Sequence, residues 1–277
     1  MHDFKPIGVF DSGYGGLTVL KAIQQVLPEY DYLYLGDNAR TPYGTRSFET
    51  VYKYTLEAVE WFFKQGCELV VLACNTASAK ALRTIQQKDL PRIAPYKRVL
   101  GVTRPTAEVI GHYSHSKSIG VLATTGTVES ESYLLEIGHF FPDLQVTQEA
   151  CPMWVPLIEN GEHLSGGADY FVQQHVHRLL QKNEAIDTIL LGCTHYPLLA
   201  PKIEAVAGED IKLVSQGEIV AKSLQNYLER HPEIAGLCTK NGHIQFKTTD
   251  SAADLDITGA IFFGKSIQSE QINLVDN

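Results

Sequence analysis

Five cysteines are scattered along the chain, at positions 67, 74, 151, 193 and 238. They form no C-x-x-C pair, and the odd count with irregular spacing argues against a disulfide framework. Two of them share a context. Cys74 closes the apolar run Leu69-Val70-Val71-Leu72-Ala73 and is followed by Asn75-Thr76-Ala77-Ser78. Cys193 closes Thr188-Ile189-Leu190-Leu191-Gly192 and is followed by Thr194-His195-Tyr196-Pro197. Each stands where a strand gives way to a helix, and Pro197 suits a first helical turn. The backbone dipole at a helix start favours a thiolate, and His195 adds a second influence in that direction beside Cys193. A thiolate is a base as well as a nucleophile. Two thiols approaching one ligand from opposite sides can invert a carbon stereocentre that bears an acidic proton. One takes the proton from one face, the other delivers a proton to the opposite face, and the roles exchange with direction. Cys67, Cys151 and Cys238 lack such a setting and read as small buried apolar residues.

Other loops carry chemistry-bearing residues. Asp11-Ser12-Gly13-Tyr14-Gly15-Gly16 follows the run Ile7-Gly8-Val9-Phe10. Its glycines permit a tight turn and close ligand approach. Its spacing is not G-x-G-x-x-G, and an acidic residue opens it, so it does not point to a dinucleotide. Gly36 to Gly44 is a second such loop, in which Arg40 either holds a carboxylate or pairs with Asp37. Thr125 and Thr127 follow Ile119-Gly120-Val121-Leu122. Ten histidines include no H-E-x-x-H and no zinc-spaced Cys/His set; His112, His115, His175 and His177 read as helix-surface residues. There is no P-loop and no lysine marked for a pyridoxal Schiff base. Chemistry without metal or cofactor is the expectation. A hydrolase built on Cys193 and His195 is a rival, but it leaves Cys74 without a role, and a histidine two residues away is expected to fall short of the sulfur.

These residues need elements to position them. Ile7–Phe10, Tyr32–Leu35, Leu69–Ala73, Val99–Val102, Ser118–Leu122, Thr188–Leu191 and Ile211–Val214 are short apolar runs without polar alternation, as in strands covered on both faces. Between them lie helical patterns. Ser47 opens one with Val51, Tyr54, Ala58, Trp61 and Phe62 in register, and 168–180 aligns Phe171, Val172, His175, Val176 and Leu179. The alternation predicts an α/β fold of mainly parallel sheets flanked by helices. The chain also echoes itself: each half has a strand ending in a hydroxyl-rich loop and, some way on, a strand ending in cysteine. The shared order points to internal duplication. Ligands of open parallel sheets bind at the carboxyl ends of the strands, so two lobes facing each other would place both thiols in one cleft.

Composition bounds the possibilities. With 277 residues the chain suits about two domains and needs no disulfide or metal to fold. A net charge of −9 disfavours nucleic acid as a partner. No run is apolar enough to span a membrane. Met1 to Pro6 lead directly into a strand-like run without the basic and apolar stretches of a signal peptide, so a cytoplasmic location is expected.

Taken together, four motifs resemble the glutamate racemases of bacterial cell-wall synthesis, within the aspartate/glutamate racemase superfamily. They are Gly8-Val9-Phe10-Asp11-Ser12-Gly13-Tyr14-Gly15-Gly16-Leu17, Gly36-Asp37 with Pro42-Tyr43-Gly44, Ala73-Cys74-Asn75-Thr76-Ala77, and Gly192-Cys193-Thr194-His195-Tyr196-Pro197. The resemblance covers nearly the whole chain. It implies cofactor-independent interconversion of L- and D-glutamate, supplying D-glutamate for peptidoglycan. Cys74 would take the α-proton from D-glutamate and Cys193 from L-glutamate, assisted by Asp11 and His195. Asp11, Ser12, Pro42, Tyr43, Gly44, Asn75, Thr76, Thr127, Thr194 and His195 would bind substrate. Cys151-Pro152 with Val155-Pro156-Leu157-Ile158-Glu159 resembles a further family segment and would bring Glu159 near the second thiol. Two lobes related by a pseudo-twofold axis are implied, 1–100 plus 215–277 and 101–214, with the active site between them, and a homodimer is expected. An aspartate or hydantoin racemase of the same superfamily is the near alternative, and a periplasmic-type amino-acid binding protein the remote one. The chain departs from the family pattern at Arg104 and Thr106, where less polar residues are common, and at Ser215-Gln216-Gly217, where Asp-Ser-Ala is common.

Overall fold

The computed structural model describes residues 4–274. Met1 to Asp3, part of the segment read as lacking a signal peptide, and 275–277, assigned to the first lobe, lie outside the described residues. The apolar runs form strands β1 (Ile7–Asp11), β2 (Tyr32–Gly36), β3 (Leu69–Leu72), β4 (Arg98–Gly101), β5 (Ser118–Ala123), β7 (Thr188–Gly192) and β8 (Lys212–Val214). β1, β2, β3, β5 and β7 are buried along their full length. Three further strands have no unbroken apolar run: β6 (Gln145–Ala150), β9 (Ile244–Thr248) and β10 (Ser269–Gln271). They are partly exposed, and β6 and β10 sit at sheet edges, where one flank needs no apolar cover.

Two sheets result, in the orders β10-β9-β2-β1-β3-β4 and β6-β5-β7-β8. All pairings are parallel. The internal echo is visible in the topology: β2-β1-β3-β4 and β6-β5-β7-β8 have the same strand order, with β1 and β5 in equivalent places and β3 and β7 beside them. β9 and β10 extend the first sheet beyond β2. The chain passes from the first sheet to the second after β4 and returns after β8.

Helices cover both faces, as a parallel sheet requires. Phe48–Lys64 packs Val51, Ala58, Val59, Trp61 and Phe62 on one face of the first sheet, and Ser47 caps it by accepting from the Thr50 N–H at 3.2 Å. Gly166–Lys182 buries Val172, His175, Val176 and Leu179. Its His175 is a correction to the surface reading: it is 3% exposed, donates from Nδ1 to the Glu149 carboxylate at 3.0 Å, and meets the Trp154 ring edge-on. His112, His115 and His177 are exposed. One apolar core runs without interruption from β1 and β3 of the first sheet to β7 and the Trp154–Tyr196 pair of the second. Among the described residues no helix is long and apolar enough to cross a membrane.

Candidate active site

The carboxyl ends of the two sheets open on a common cavity of about 220 Å³. The first sheet contributes Ser12 after β1, Thr41 to Thr45 after β2, and Cys74, Asn75 and Thr76 after β3. The second contributes Thr124 and Thr125 after β5, Cys151 and Pro152 after β6, and Cys193, Thr194 and His195 after β7, with Val155 and Pro156 closing one side. Both candidate thiols therefore face one cavity from different sheets. Ser12, Pro42, Tyr43, Gly44, Asn75, Thr76, Thr194 and His195 stand in the wall. Asp11, Thr127 and Glu159 stand behind it, each touching a wall residue. Among the described residues no lysine or arginine lines the cavity.

Cys74 is the N-cap of the short helix Asn75–Lys80, and its sulfur accepts from the Ala77 N–H at 3.5 Å. Ser12 Oγ lies 3.4 Å from the same sulfur. The expected helix-start effect is overridden here. Burial pushes the Cys74 thiol up to about 12, and the Asp11 charge works in the same direction. The two hydrogen bonds pull it back only in part, because removing a thiolate from water costs more than one helical turn returns. Asp11 is fully buried; it accepts from the Gly13 N–H at 3.0 Å and from the Thr194 hydroxyl at 3.2 Å. Burial raises its carboxyl, against the pull of His195 and these bonds.

The second thiol has other surroundings. The helix expected directly after Cys193 begins later, as a 3₁₀ turn Tyr196–Leu199 with Pro197 in its first turn, so Cys193 is not its cap. His195 is. Contrary to expectation, this histidine reaches its neighbour's sulfur: Nδ1 lies 3.9 Å from Cys193 Sγ. Its Nε2 meets Glu159 Oε1 at 3.0 Å. Burial lowers the imidazole's pKa, but the bonds to Cys193 and Glu159 outweigh it and raise it to about 10. At neutral pH it is an imidazolium held between a sulfur and a carboxylate.

The glycine-rich loop explains itself by distance. A Cβ on Gly13 would lie 2.8 Å from Glu159 Oε1, and one on Gly15 would strike Thr194 Oγ1 and His195 Nδ1. The loop after β1 is thereby pressed against the histidine of the opposite lobe. Other bonds join the lobes around the cavity. Thr18 Oγ1 donates to Thr194 O at 3.1 Å, the Gly126 N–H donates to Gly44 O at 2.7 Å, and Thr76 Oγ1 lies 2.9 Å from Thr124 Oγ1. Thr127 Oγ1 completes that hydroxyl triangle, 3.1 Å from Thr124 and 3.4 Å from Thr76. Buried Lys80 donates to Arg46 O at 2.8 Å and ties down the loop that carries Tyr43 and Gly44.

Arg40 settles between its two alternatives: it pairs with Asp37 at 2.7 Å and with Glu57 at 2.5 Å, and stays out of the wall. Tyr43 donates to the same Asp37. The wall also holds residues that sequence reasoning passed over. Cys151, read as a buried apolar residue, is buried and yet lines the cavity; Thr41 and Thr45 flank the expected Pro42-Tyr43-Gly44. Proximity to a motif was the available signal for the threonines. Cys151 gave its own signal through the family-like segment it opens. Among the described residues no group of three or more His, Cys, Asp or Glu stands together as a metal-holding set.

The sequence profile of the Asp/Glu/hydantoin racemase family matches residues 7–224. The chain is 40% identical over 274 residues to a glutamate racemase of Ruegeria sp. strain TM1040, covering 95% of this chain and 98% of that one. Among solved structures it is similar to glutamate racemase isoform RacE1 of Bacillus anthracis, with a TM-score of 0.88, 35% identity and 99% of each chain covered. It is also similar to the glutamate racemase of Francisella tularensis in complex with D-glutamate, with a TM-score of 0.87, 31% identity, and 99% of this chain and 100% of that chain covered. By profile, by sequence and by fold, over nearly its full length, the chain belongs to the Asp/Glu/hydantoin racemase family and is an isomerase.

Proposed function

We propose that this protein is a glutamate racemase that moves the α-proton through Cys74 and Cys193, without a cofactor, and that its D-glutamate serves peptidoglycan synthesis. The observation that carries this is the pair of sulfurs, one from the end of β3 and one from the end of β7, on a single cavity. Its volume is below the roughly 300–1,000 Å³ of drug-sized pockets and suits a small amino acid. The relatives named as glutamate racemases, one of them solved with D-glutamate, support that substrate.

The chemistry follows from unlike thiols. With L-glutamate, Cys193 takes the α-proton, and Cys74, protonated in the resting protein, donates to the opposite face. With D-glutamate, Cys74 must first lose its proton. Asp11, whose charge acts on Cys74 and whose carboxyl is raised by burial, is suited to receive it. His195 holds an N–H toward Cys193 and can deliver and recover a proton there. The carbanion is the difficult species. Donors that bind it more tightly than the ground state supply the rate. Asn75 and Thr76 are the wall's neutral donors for this, in a cavity whose closure excludes water.

The test is L-glutamate in deuterated water with no added cofactor, followed by circular dichroism and by mass spectrometry. Racemisation with deuterium at Cα is expected, and its loss by roughly 10²–10⁴-fold or more in Cys74→Ala and in Cys193→Ala with the fold retained. Retention of the original proton would exclude the two-thiol route. A flat trace with glutamate, alongside racemised aspartate, would move the substrate.

A further inference from the structure

Thr106 and Gln216, two places where this chain leaves the family pattern, meet inside the protein. Thr106 lies on the helix Thr103–Ala107, where the chain crosses to the second lobe, and Gln216 caps Gly217–Arg230, where it returns. Thr106 Oγ1 donates to Val102 O at 2.9 Å, so its oxygen is left to accept. Gln216 Nε2 lies 2.8 Å from that oxygen and 3.4 Å from Val102 O. A carbonyl oxygen only accepts, so this end of the glutamine is its NH₂ group. The same nitrogen donates to Tyr133 OH at 2.6 Å. Tyr133, on the second-lobe helix Ser132–Phe140, then has its own proton free to pass on, and donates to Asn75 Oδ1 at 2.6 Å. Burial raises the Tyr133 phenol, which keeps that proton in place. All four side chains are buried.

The donors therefore run in one direction, from Gln216 through Tyr133 to Asn75. Oδ1 of Asn75 is committed to the tyrosine. Nδ2 is a buried donor with no partner among the described residues, on a side chain in the cavity wall next to Cys74. We infer that Tyr133 and Gln216, set by Thr106, are positioning residues that hold the Asn75 amide with its NH₂ group reserved for a carboxylate of the ligand. This rests on the cavity being the amino-acid site. Both chain crossings feed the relay, so the setting of a ligand-binding amide in the first lobe depends on side chains of the crossings and of the second lobe.

The relay is tested by titration calorimetry with racemic glutamate, whose composition the enzyme cannot change. Tyr133→Phe and Asn75→Ala are each expected to weaken binding about tenfold, the equivalent of one hydrogen bond to a charged group. The double variant should bind within twofold of Asn75→Ala alone, because the tyrosine acts only through the amide. A merely structural tyrosine would give losses that add. Gln216→Met, similar in shape but without donors, should weaken binding about threefold and lose that effect on the Asn75→Ala background; it serves if Tyr133→Phe does not fold. In turnover, kcat and kcat/KM should both fall in Tyr133→Phe and in Gln216→Met, and those losses should vanish on the Asn75→Ala background. Wild-type affinity in either folded variant, or additive losses in the double variants, would overturn the relay while leaving the site standing. A wild-type protein that neither binds nor racemises glutamate would instead overturn the site, and the relay with it.

Discussion

His195 shows how much a single side chain depends on its two neighbours. Its imidazole stays charged at neutral pH because Cys193 and Glu159 outweigh the cost of burial. An NMR titration of the wild-type protein should therefore show no change at this ring between pH 5 and 8. Glu159→Gln removes one of the two supports. The ring should then titrate at lower pH, and racemisation should fall about tenfold or more. Gly15→Ala tests the close approach from the other lobe. Its methyl group would meet His195 and Thr194 directly, and activity should drop at least tenfold with a stability loss of about 1–3 kcal/mol, measured by denaturation. At this scale the two cysteines were legible, since a thiol followed by hydroxyl and amide side chains at a strand end is an unusual use of a small residue. The reach of His195 to its neighbour's sulfur was not, because sequence separation says nothing of the path of the backbone. Nor could the residues say which polar groups stand in the wall and which, like Asp11, Thr127 and Glu159, stand one layer behind.

Elements position these side chains, and their boundaries follow local rules. Ser47 was legible as the start of a helix, and its oxygen does hold the Thr50 N–H. Ser47→Ala should lower stability by about 1 kcal/mol, seen as a lower midpoint in urea, with activity at saturating substrate unchanged. The central strands were legible because burial on both faces demands unbroken apolar runs. β6, with the sequence Gln145-Val146-Thr147-Gln148-Glu149-Ala150, has no such demand at a sheet edge, and polar residues hid it. One of those polar residues, Glu149, is buried against His175 and Lys182, and its carboxylate is the partner that lets a histidine on an apolar helix face lie inside. The helix after Cys193 starts late because His195, not the cysteine, takes the cap position.

On the scale of the whole molecule, the shared strand order of the two sheets and the continuous core matter most. A core common to both sheets, crossed twice by the chain, should unfold as one unit, giving a single calorimetric transition rather than two. The pH dependence of that transition has a definite sign. His195 is raised from 6.5 to about 10 in the folded protein, so its contribution is complete below 6.5 and is lost as pH rises through about 10. Cys74, raised from 9.0 to about 12, adds a further loss across that higher window. The melting temperature should therefore decline from pH 6.5 upward and steepen above pH 9. The repeated order of loops and cysteines was legible at this scale. The addition of β9 and β10 to the first sheet was not, since neither strand has an apolar run to announce it.

The dissimilar partners of the two thiols, a serine and an aspartate on one side and an imidazolium on the other, have a thermodynamic corollary. Mirror-image amino acids have equal free energy in water, so on the proposed activity kcat/KM has to be identical for both enantiomers. The lopsided protein can express its bias only in kcat and KM moving together. The enantiomer with the larger kcat must have the larger KM, in strict proportion.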